Sequence, residues 1–111
     1  MQPCQIILSN EVDKFLSSLP VKTRDKIVRN INIVTSGKRD NNLFKKLENT
    51  DIWEFRTIFA GVKYRILAFW DTRKGALILT THGFIKKSEK VPRKEIKKAE
   101  RIRKIYFNQN I

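Results

Sequence analysis

Two strand-like runs joined by a two-residue turn constrain the fold of this chain more than any other feature. Residues 52–59 and 62–70 are rich in aromatic and β-branched side chains, as is typical of β-strands. Ala60 and Gly61 between them suit a tight hairpin turn, in which Gly61 supplies a positive φ. The sequence therefore predicts a β-hairpin in the middle of the chain.

The turn also predicts the register of this hairpin. If Phe59 pairs with Val62, counting back along both strands sets Arg56 opposite Arg65. Like charges directly opposite each other in a sheet are destabilising. A pair of facing arginines therefore indicates that the chain binds an anion at this point.

Side-chain alternation along the two strands assigns them two different faces. The first face is almost entirely apolar or aromatic and consists of Trp53, Phe55, Thr57, Phe59, Val62, Tyr64, Ile66, Ala68 and Trp70. The second face is charged over much of its length and consists of Glu54, Arg56, Ile58, Lys63, Arg65 and Leu67. We expect the first face to lie in the core and the second to carry a site.

Composition limits the partners and the class of protein. The 111 residues suit a single domain, 1–111, and the net charge of +13 indicates a polyanionic partner, either a nucleic acid or an acidic protein. A basic, solvated surface without a ligand is the alternative. The single cysteine, Cys4, fits a reducing cytoplasm, and we find no membrane-spanning run and no signal-peptide pattern.

The order of the elements predicts an α+β fold. A short strand at 5–8 precedes two helices, the first capped by Ser9 or Asn10 and the second starting near Pro20. The hairpin and a strand at 76–81 follow, and a last helix opens at Pro92. We expect a small, largely antiparallel β-sheet with two N-terminal helices on one face and the C-terminal helix packed at its edge.

Several short motifs together carry a family resemblance. They are Trp53-Glu54-Phe55-Arg56, Tyr64-Arg65-Ile66, the run from His82 to Ser88, Pro92 with Glu95-Ile96, and Ala99-Glu100-Arg101. In this order and spacing the chain resembles the HigB-like branch of the RelE/ParE superfamily, the toxins of bacterial type II toxin–antitoxin pairs. The resemblance covers nearly the whole chain.

The resemblance implies a fold, an activity and a partner. The fold is the RelE-like microbial RNase fold, and the activity is cleavage of mRNA, typically in the ribosomal A site. The ribose 2′-OH attacks the adjacent phosphate without a metal or cofactor and leaves a 2′,3′-cyclic phosphate. The implied partner is a cognate antitoxin, in this branch usually a helix-turn-helix protein, and no membrane is involved.

Three residues of the hairpin are candidates for this chemistry. Arg56 and Arg65 carry planar guanidinium groups that can stabilise the charge on a phosphorane. Glu54 is either a general base or a residue that orients Arg65. The alternative is a surface salt bridge between Glu54 and Arg65, which would contribute only about 0–1 kcal/mol.

Three further candidates lie at the end of the last strand. His82, the only histidine, ends this strand and is either a general acid or base or a residue with a local hydrogen bond or aromatic contact. Lys86 and Lys87 are either a base and an electrostatic clamp or part of a solvated charge run.

The basic residues around this site predict contacts to the RNA backbone. Between positions 86 and 104 there are ten Lys or Arg and three acidic residues. The candidate RNA-binding residues are Lys45, Lys46, Lys63, Lys90, Arg93 and Lys94. A basic face without RNA remains the alternative.

Three functions are compatible with these residues. The first is an endoribonuclease toxin that cleaves mRNA, for which the resemblance implies the ribosome as the site of action. The second is a non-catalytic, ParE-like toxin that binds a protein target such as DNA gyrase. The third is a simple RNA-binding module.

Overall fold

The computed structural model describes residues 2–109, which form one five-stranded β-sheet with helices packed on both faces. The elements are β1 (Gln5–Ile7), α1 (Asn10–Ser17), α2 (Val21–Thr35), β2 (Phe44–Lys46), β3 (Trp53–Phe59), β4 (Val62–Asp71), a 3₁₀ turn (Thr72–Lys74), β5 (Leu77–Lys86) and α3 (Arg93–Gln109). The strand order is β1-β5-β4-β3-β2, in which β1 runs parallel to β5 and all other neighbours are antiparallel. The predicted α+β class is confirmed.

The central hairpin has the predicted register. Phe59 pairs with Val62, and Arg56 pairs with Arg65. Both turn residues have a positive φ, 51° at Ala60 and 77° at Gly61, as a two-residue type I′ turn requires. A non-glycine residue in this region costs about 1–2 kcal/mol. The turn is therefore strained at Ala60, and the pairing of the two strands on either side of it offsets this cost.

The two N-terminal helices cover the apolar face of the sheet. Ser9 caps α1, because its Oγ accepts a hydrogen bond from the backbone N–H of Val12 at 3.1 Å. The core on this face contains Val12, Leu16, Ile27, Ile31 and Val34 from the helices and Phe44, Phe55, Tyr64, Ile66, Ala68 and Ile78 from the strands. Asn30 of α2 donates to the Thr57 hydroxyl at 3.0 Å, so this polar residue of the apolar face has a partner.

The C-terminal helix packs across the second face of the sheet, against β4 and β5, and the expected position at the edge is wrong. Its Ala99 is buried with Leu67, Phe69, Leu77 and Leu79. These strand residues form an apolar half of the second face that water would otherwise contact, and burying apolar area is the main driving force available. The helix therefore leaves the charged half of this face for a site.

Two strands differ from the prediction. The segment before the hairpin forms β2, in which Phe44 pairs with Phe55 and stacks on Trp53 with ring centroids 4.8 Å apart. The last strand continues through Gly83 to Lys86, and residues 83–86 pair with β4. A Cβ at residue 83 would lie 2.3 Å from the ring of Phe15. Gly83 therefore permits close packing of α1 on the sheet and does not end the strand.

Within residues 2–109, none of the helices combines the length and the apolar character needed to cross a membrane.

Candidate active site

Glu54 lies between the two facing arginines. Its Oε1 is 3.0 Å from Nε of Arg65, and its Oε2 is 3.8 Å from Nε of Arg56. All three side chains project from the charged half of the second face. Glu54 and Arg56 are two positions apart on β3 and so share a face, and Arg65 is paired with Arg56 on the neighbouring strand. A shared carboxylate therefore reduces the repulsion between the two guanidinium groups.

The two arginines differ in exposure. Arg65 is 1% exposed and Glu54 is 5% exposed, so their ion pair is buried, and its expected alternative as a surface salt bridge is wrong. Arg65 also donates from Nη1 to the Tyr64 carbonyl at 3.2 Å. The side chain of Arg56 is 29% exposed and donates from Nη1 to the Asn41 carbonyl at 3.2 Å. Only Arg56 of this pair reaches solvent directly.

The charged groups of Glu54, Arg56 and Arg65 lie close together, but not all of their polar atoms form hydrogen bonds. Nε of Arg65, Nε of Arg56 and Oε1 of Glu54 are buried and have no hydrogen-bond partner among residues 2–109. The 3.0 Å contact between Arg65 and Glu54 is therefore described as an ion pair, in which the opposite charges attract each other. Burial lowers the pKa of Arg65, the Glu54 charge opposes this shift, and the Arg56 charge adds to it. A buried cation with unused hydrogen-bonding capacity favours an additional anion nearby.

Lys86 is the strand residue that completes this cationic site. It lies at the end of β5 opposite Lys63, and it is partly buried. Burial lowers the pKa of its ammonium group, and the charges of Arg65, Lys63 and Arg56 lower it further, while Glu54 opposes them. A lysine whose pKa is lowered in this way has a larger neutral fraction and can accept a proton.

A groove of about 620 Å³ lies against Glu54, Arg56 and Lys86, and Arg65 is not part of its lining. It is lined by Lys45, Lys46, Leu47 and Glu48, by Glu54 and Arg56, by Lys86, and by Glu89, Lys90, Val91 and Ile96. It thus brings together three predicted catalytic residues and three predicted RNA-binding lysines. Lys63 and Lys87 line a neighbouring depression, and Arg93 and Lys94 are exposed in the first turn of α3, outside the groove lining.

His82 is not at the end of its strand, as expected, but inside β5, and it is 3% exposed. Its Nδ1 is 3.0 Å from the Thr81 hydroxyl, and its Nε2 is 3.1 Å from Oε1 of Glu95 in the first turn of α3. Its ring also stacks on Phe84. Burial lowers the pKa of the imidazole, and the hydrogen bond to Glu95 opposes this shift. These contacts match the local alternative for His82 and place it beneath α3, away from the groove lining.

The sequence did not indicate the outer wall of the groove. Glu89 and Val91 come from the connection between β5 and α3, and Ile96 comes from the helix itself. Their positions depend on how α3 packs, which has no local signal. Within residues 2–109, no group of three or more His, Cys, Asp or Glu side chains is arranged to hold a metal ion.

A model of the phage-derived Gp49-like proteins (DUF891) matches residues 14–104, which is most of the chain. The chain belongs to this family. No curated protein matches this Gp49-like chain significantly in sequence. The resemblance to the RelE/ParE superfamily is confirmed by this family match together with the fold.

Solved structures show which fold this Gp49-like chain has. It is similar to a double mutant of the E. coli toxin RelE in the free state, with a TM-score of 0.60, 13% identity, and coverage of 90% of this chain and 97% of that chain. It is also similar to a chain of the intact E. coli RelBE toxin–antitoxin complex (TM-score 0.56, 15% identity, 78% and 99% coverage). A third match is the RelBE2 toxin–antitoxin complex from Mycobacterium tuberculosis (TM-score 0.54, 16% identity, 78% and 94% coverage). The RelE-like fold is therefore shown.

Proposed function

We propose that this Gp49-like protein is the toxin of a type II toxin–antitoxin pair and that it cleaves RNA. The observation that carries the proposal is the groove lined by Glu54, Arg56 and Lys86, a lysine with a lowered pKa. Arg65 lies beneath this lining, buried and paired with Glu54. Such a site can bind a phosphodiester and remove a proton next to it. The RelE-like fold and the net charge of +13 support the same function.

The proposed reaction is a metal-independent transfer of the phosphoryl group within the RNA. Neutral Lys86 takes the proton of the ribose 2′-OH, the 2′-oxygen forms a bond to phosphorus, and the bond to the 5′-oxygen breaks. The 5′-oxygen takes a proton from water, and a 2′,3′-cyclic phosphate remains. Arg56 contacts the non-bridging oxygens, where negative charge develops, and buried Arg65 adds to the positive potential beneath them.

The basic residues around the groove are proposed to hold the RNA backbone. Lys45, Lys46 and Lys90 lie in the groove lining, while Lys63, Arg93 and Lys94 lie outside it. Each phosphate contact releases condensed counterions, so the affinity for RNA falls steeply with salt. We propose mRNA on the ribosome as the substrate. A cleavage assay that compares naked RNA with a translating cell-free extract tests the role of the ribosome.

A cognate antitoxin is the proposed protein partner. Two of the similar structures are toxin–antitoxin complexes, and a +13 protein is suited to bind a partner with acidic segments. We propose that this partner is a helix-turn-helix protein encoded next to the toxin. Co-expression of the two proteins and gel filtration should give one complex, and separate elution would contradict the pairing.

Induced expression followed by primer extension on cellular mRNA tests the proposed function. We expect growth arrest and new, discrete 5′ ends in the mRNA. Lys86→Gln and Arg56→Gln should each abolish the new ends. Lys22→Gln is the matched control, because Lys22 is an exposed lysine of α2 on the other face of the sheet and its change should leave cleavage intact.

The same experiment separates the other two functions. Growth arrest without new 5′ ends would overturn the nuclease and favour a non-catalytic toxin that binds a protein target such as DNA gyrase, as in the ParE branch. Binding of RNA with neither growth arrest nor cleavage would overturn the toxin and favour an RNA-binding module.

A further inference from the structure

One buried histidine connects the strand that carries Lys86 to the helix that follows it. His82 lies on β5, four positions before Lys86, and its Nε2 is 3.1 Å from Oε1 of Glu95 in the first turn of α3. Its other ring nitrogen is 3.0 Å from the hydroxyl of Thr81. A single side chain that is 3% exposed is therefore held on one side by its own strand and on the other by α3.

This contact lies at the base of the outer groove wall. The connection 87–92 leaves β5 at Lys86 and enters α3 at Arg93, and its residues Glu89, Lys90 and Val91 line the groove. Its two ends are fixed only if β5 and the first turn of α3 keep a constant separation. The contact between His82 and Glu95 joins these two elements next to the connection.

The other contacts of α3 are less suited to fix its first turn. Lys98 of α3 pairs with Glu11 of α1, but both side chains are substantially exposed, and such pairs contribute little. The buried apolar contacts of α3 involve Ala99 and Ile102, which lie one turn or more farther along the helix. The His82–Glu95 pair therefore joins the first turn of α3 to the sheet through a side chain that is itself buried.

The hydrogen bond between His82 and Glu95 can persist whether the imidazole is neutral or charged. The hydroxyl of Thr81 has one proton and lies 3.0 Å from Nδ1 of His82 and 3.2 Å from the Leu67 carbonyl. If the hydroxyl donates to Nδ1, the imidazole is neutral and donates from Nε2 to Glu95. If it donates to Leu67, both ring nitrogens donate and the imidazole is charged.

In both arrangements Nε2 donates to Glu95, and only the Thr81 hydroxyl turns. The titratable groups that face His82 are Glu95 and Lys98 of α3 and Glu11 of α1. Burial and the charge of Lys98 favour the neutral imidazole, while the two carboxylates oppose them. The contact is thus suited to hold α3 in place across a wide range of pH.

We propose that His82 and Glu95 are positioning residues that fix the first turn of α3 and, through the connection 87–92, the outer wall of the groove beside Lys86. The contact itself is independent of the reaction, and its effect on RNA cleavage rests on the proposed function.

Hydrogen exchange of the backbone amides tests the positioning directly. In Glu95→Ala we expect exchange of residues 87–96 to rise about tenfold, because a buried hydrogen bond is lost, while the hairpin β3–β4 stays protected. Glu95→Gln keeps an acceptor for Nε2 and should restore exchange to within about threefold of the wild type. Glu100→Ala is the matched control, an exposed glutamate of the same helix. Unchanged exchange in Glu95→Ala, or an equal rise throughout the sheet, would overturn the proposal.

RNA cleavage gives a second readout. Glu95→Ala should raise KM for RNA about tenfold or more with a smaller change in kcat, and Glu95→Gln should restore KM. A loss confined to kcat would overturn the positioning role. If the wild type cleaves no RNA, the proposed function fails, and the exchange experiment still decides whether His82 and Glu95 hold α3.

Discussion

Two carboxylates are buried among cationic side chains on the same face of the sheet, and their surroundings differ. Asp71, which is 0% exposed, accepts hydrogen bonds from Nε and Nη2 of Arg73 at 3.1 Å each, from the Arg73 backbone N–H at 3.0 Å, and from the Tyr106 hydroxyl at 2.7 Å. These bonds hold the pKa of Asp71 well below its ordinary value and raise the pKa of Tyr106. The Asp71 cluster therefore fastens the C-terminal half of α3 to β4.

The Glu54 cluster, which consists of Glu54, Arg56 and Arg65, also combines a carboxylate with cationic groups, but its hydrogen bonding is less complete. One carboxylate contacts two arginines, yet a buried atom of each of the three residues lacks a hydrogen bond within the described chain. A complete cluster contributes to folding, whereas an incomplete one keeps part of its capacity for a ligand. The comparison teaches that buried charge alone does not distinguish the two clusters, and that the Glu54 cluster differs in lying beside a groove.

The largest expected effect is the removal of Arg65. Arg65→Met leaves the Glu54 carboxylate buried without its nearest cation, and this should lower the free energy of unfolding by about 3–5 kcal/mol, as measured by urea denaturation. Arg56→Gln should cost less than about 1 kcal/mol, because Arg56 is partly exposed. The double variant Glu54→Gln/Arg65→Met should recover much of the loss. Equal costs for Arg65→Met and Arg56→Gln would contradict the buried ion pair.

The next effect is on the proposed proton transfer. Lys86→Arg keeps the positive charge but removes a group that can lose its proton, so kcat for RNA cleavage should fall roughly 100-fold at unchanged stability. In the wild type, kcat should rise with pH as Lys86 loses its proton, with a midpoint below the ordinary lysine value of 10.5. Lys63→Gln removes one of the charges that lower this pKa, so it should move the midpoint upward. If kcat has the same pH dependence in Lys63→Gln as in the wild type, Lys86 is not the base.

The Asp71 cluster should affect stability without affecting the site. Because the pKa of folded Asp71 lies below its ordinary value of 3.8, its stabilisation is present above about pH 4 and is lost as the pH falls toward the folded value. Asp71→Asn should therefore lower Tm by several degrees at pH 7 and by less at pH 3. The kcat of the folded fraction should not change. A difference in Tm that grows toward low pH would contradict the assignment.

The smallest effect is the response to a simple anion. Inorganic phosphate at about ten times its Kd should raise Tm of the wild type by about 2–5 °C through the Glu54 cluster. Arg56→Gln should abolish the increase, and Arg73→Gln should retain it, because Arg73 already serves Asp71. Loss of the response in both variants would mean that phosphate binds by net charge alone.

The sequence correctly predicted those features that depend on residues close together in the chain. The hairpin register followed from a two-residue turn and alternating side chains, and the cap of α1 followed from Ser9. Arg56 was named because the hairpin register set it opposite Arg65, and Lys86 was named as a basic residue that follows the strand predicted at 76–81. Whether each candidate takes part in chemistry stays a prediction.

What the sequence missed depends on contacts between distant segments. The end of β5 was placed too early because the strand-like run of side chains stops at Thr81. The close contact between Gly83 and the ring of Phe15 from α1 forms only in the folded chain. Likewise, the contact of His82 with Glu95 and the groove wall at Ile96 exist only after α3 has packed on the sheet. The pattern of residues within one segment does not indicate how α3 packs on the sheet.

The cap of α1 has a consequence for the timing of synthesis. Ser9 donates from its backbone N–H to the Thr80 hydroxyl and from its own hydroxyl to the Thr81 carbonyl, at 2.9 Å each, and β1 pairs with the start of β5. A nascent chain cannot form these contacts until β5 has left the ribosome, and joining segments so far apart slows folding. The groove wall from α3 emerges later still. Each newly made molecule therefore passes through an interval in which the groove has not yet formed.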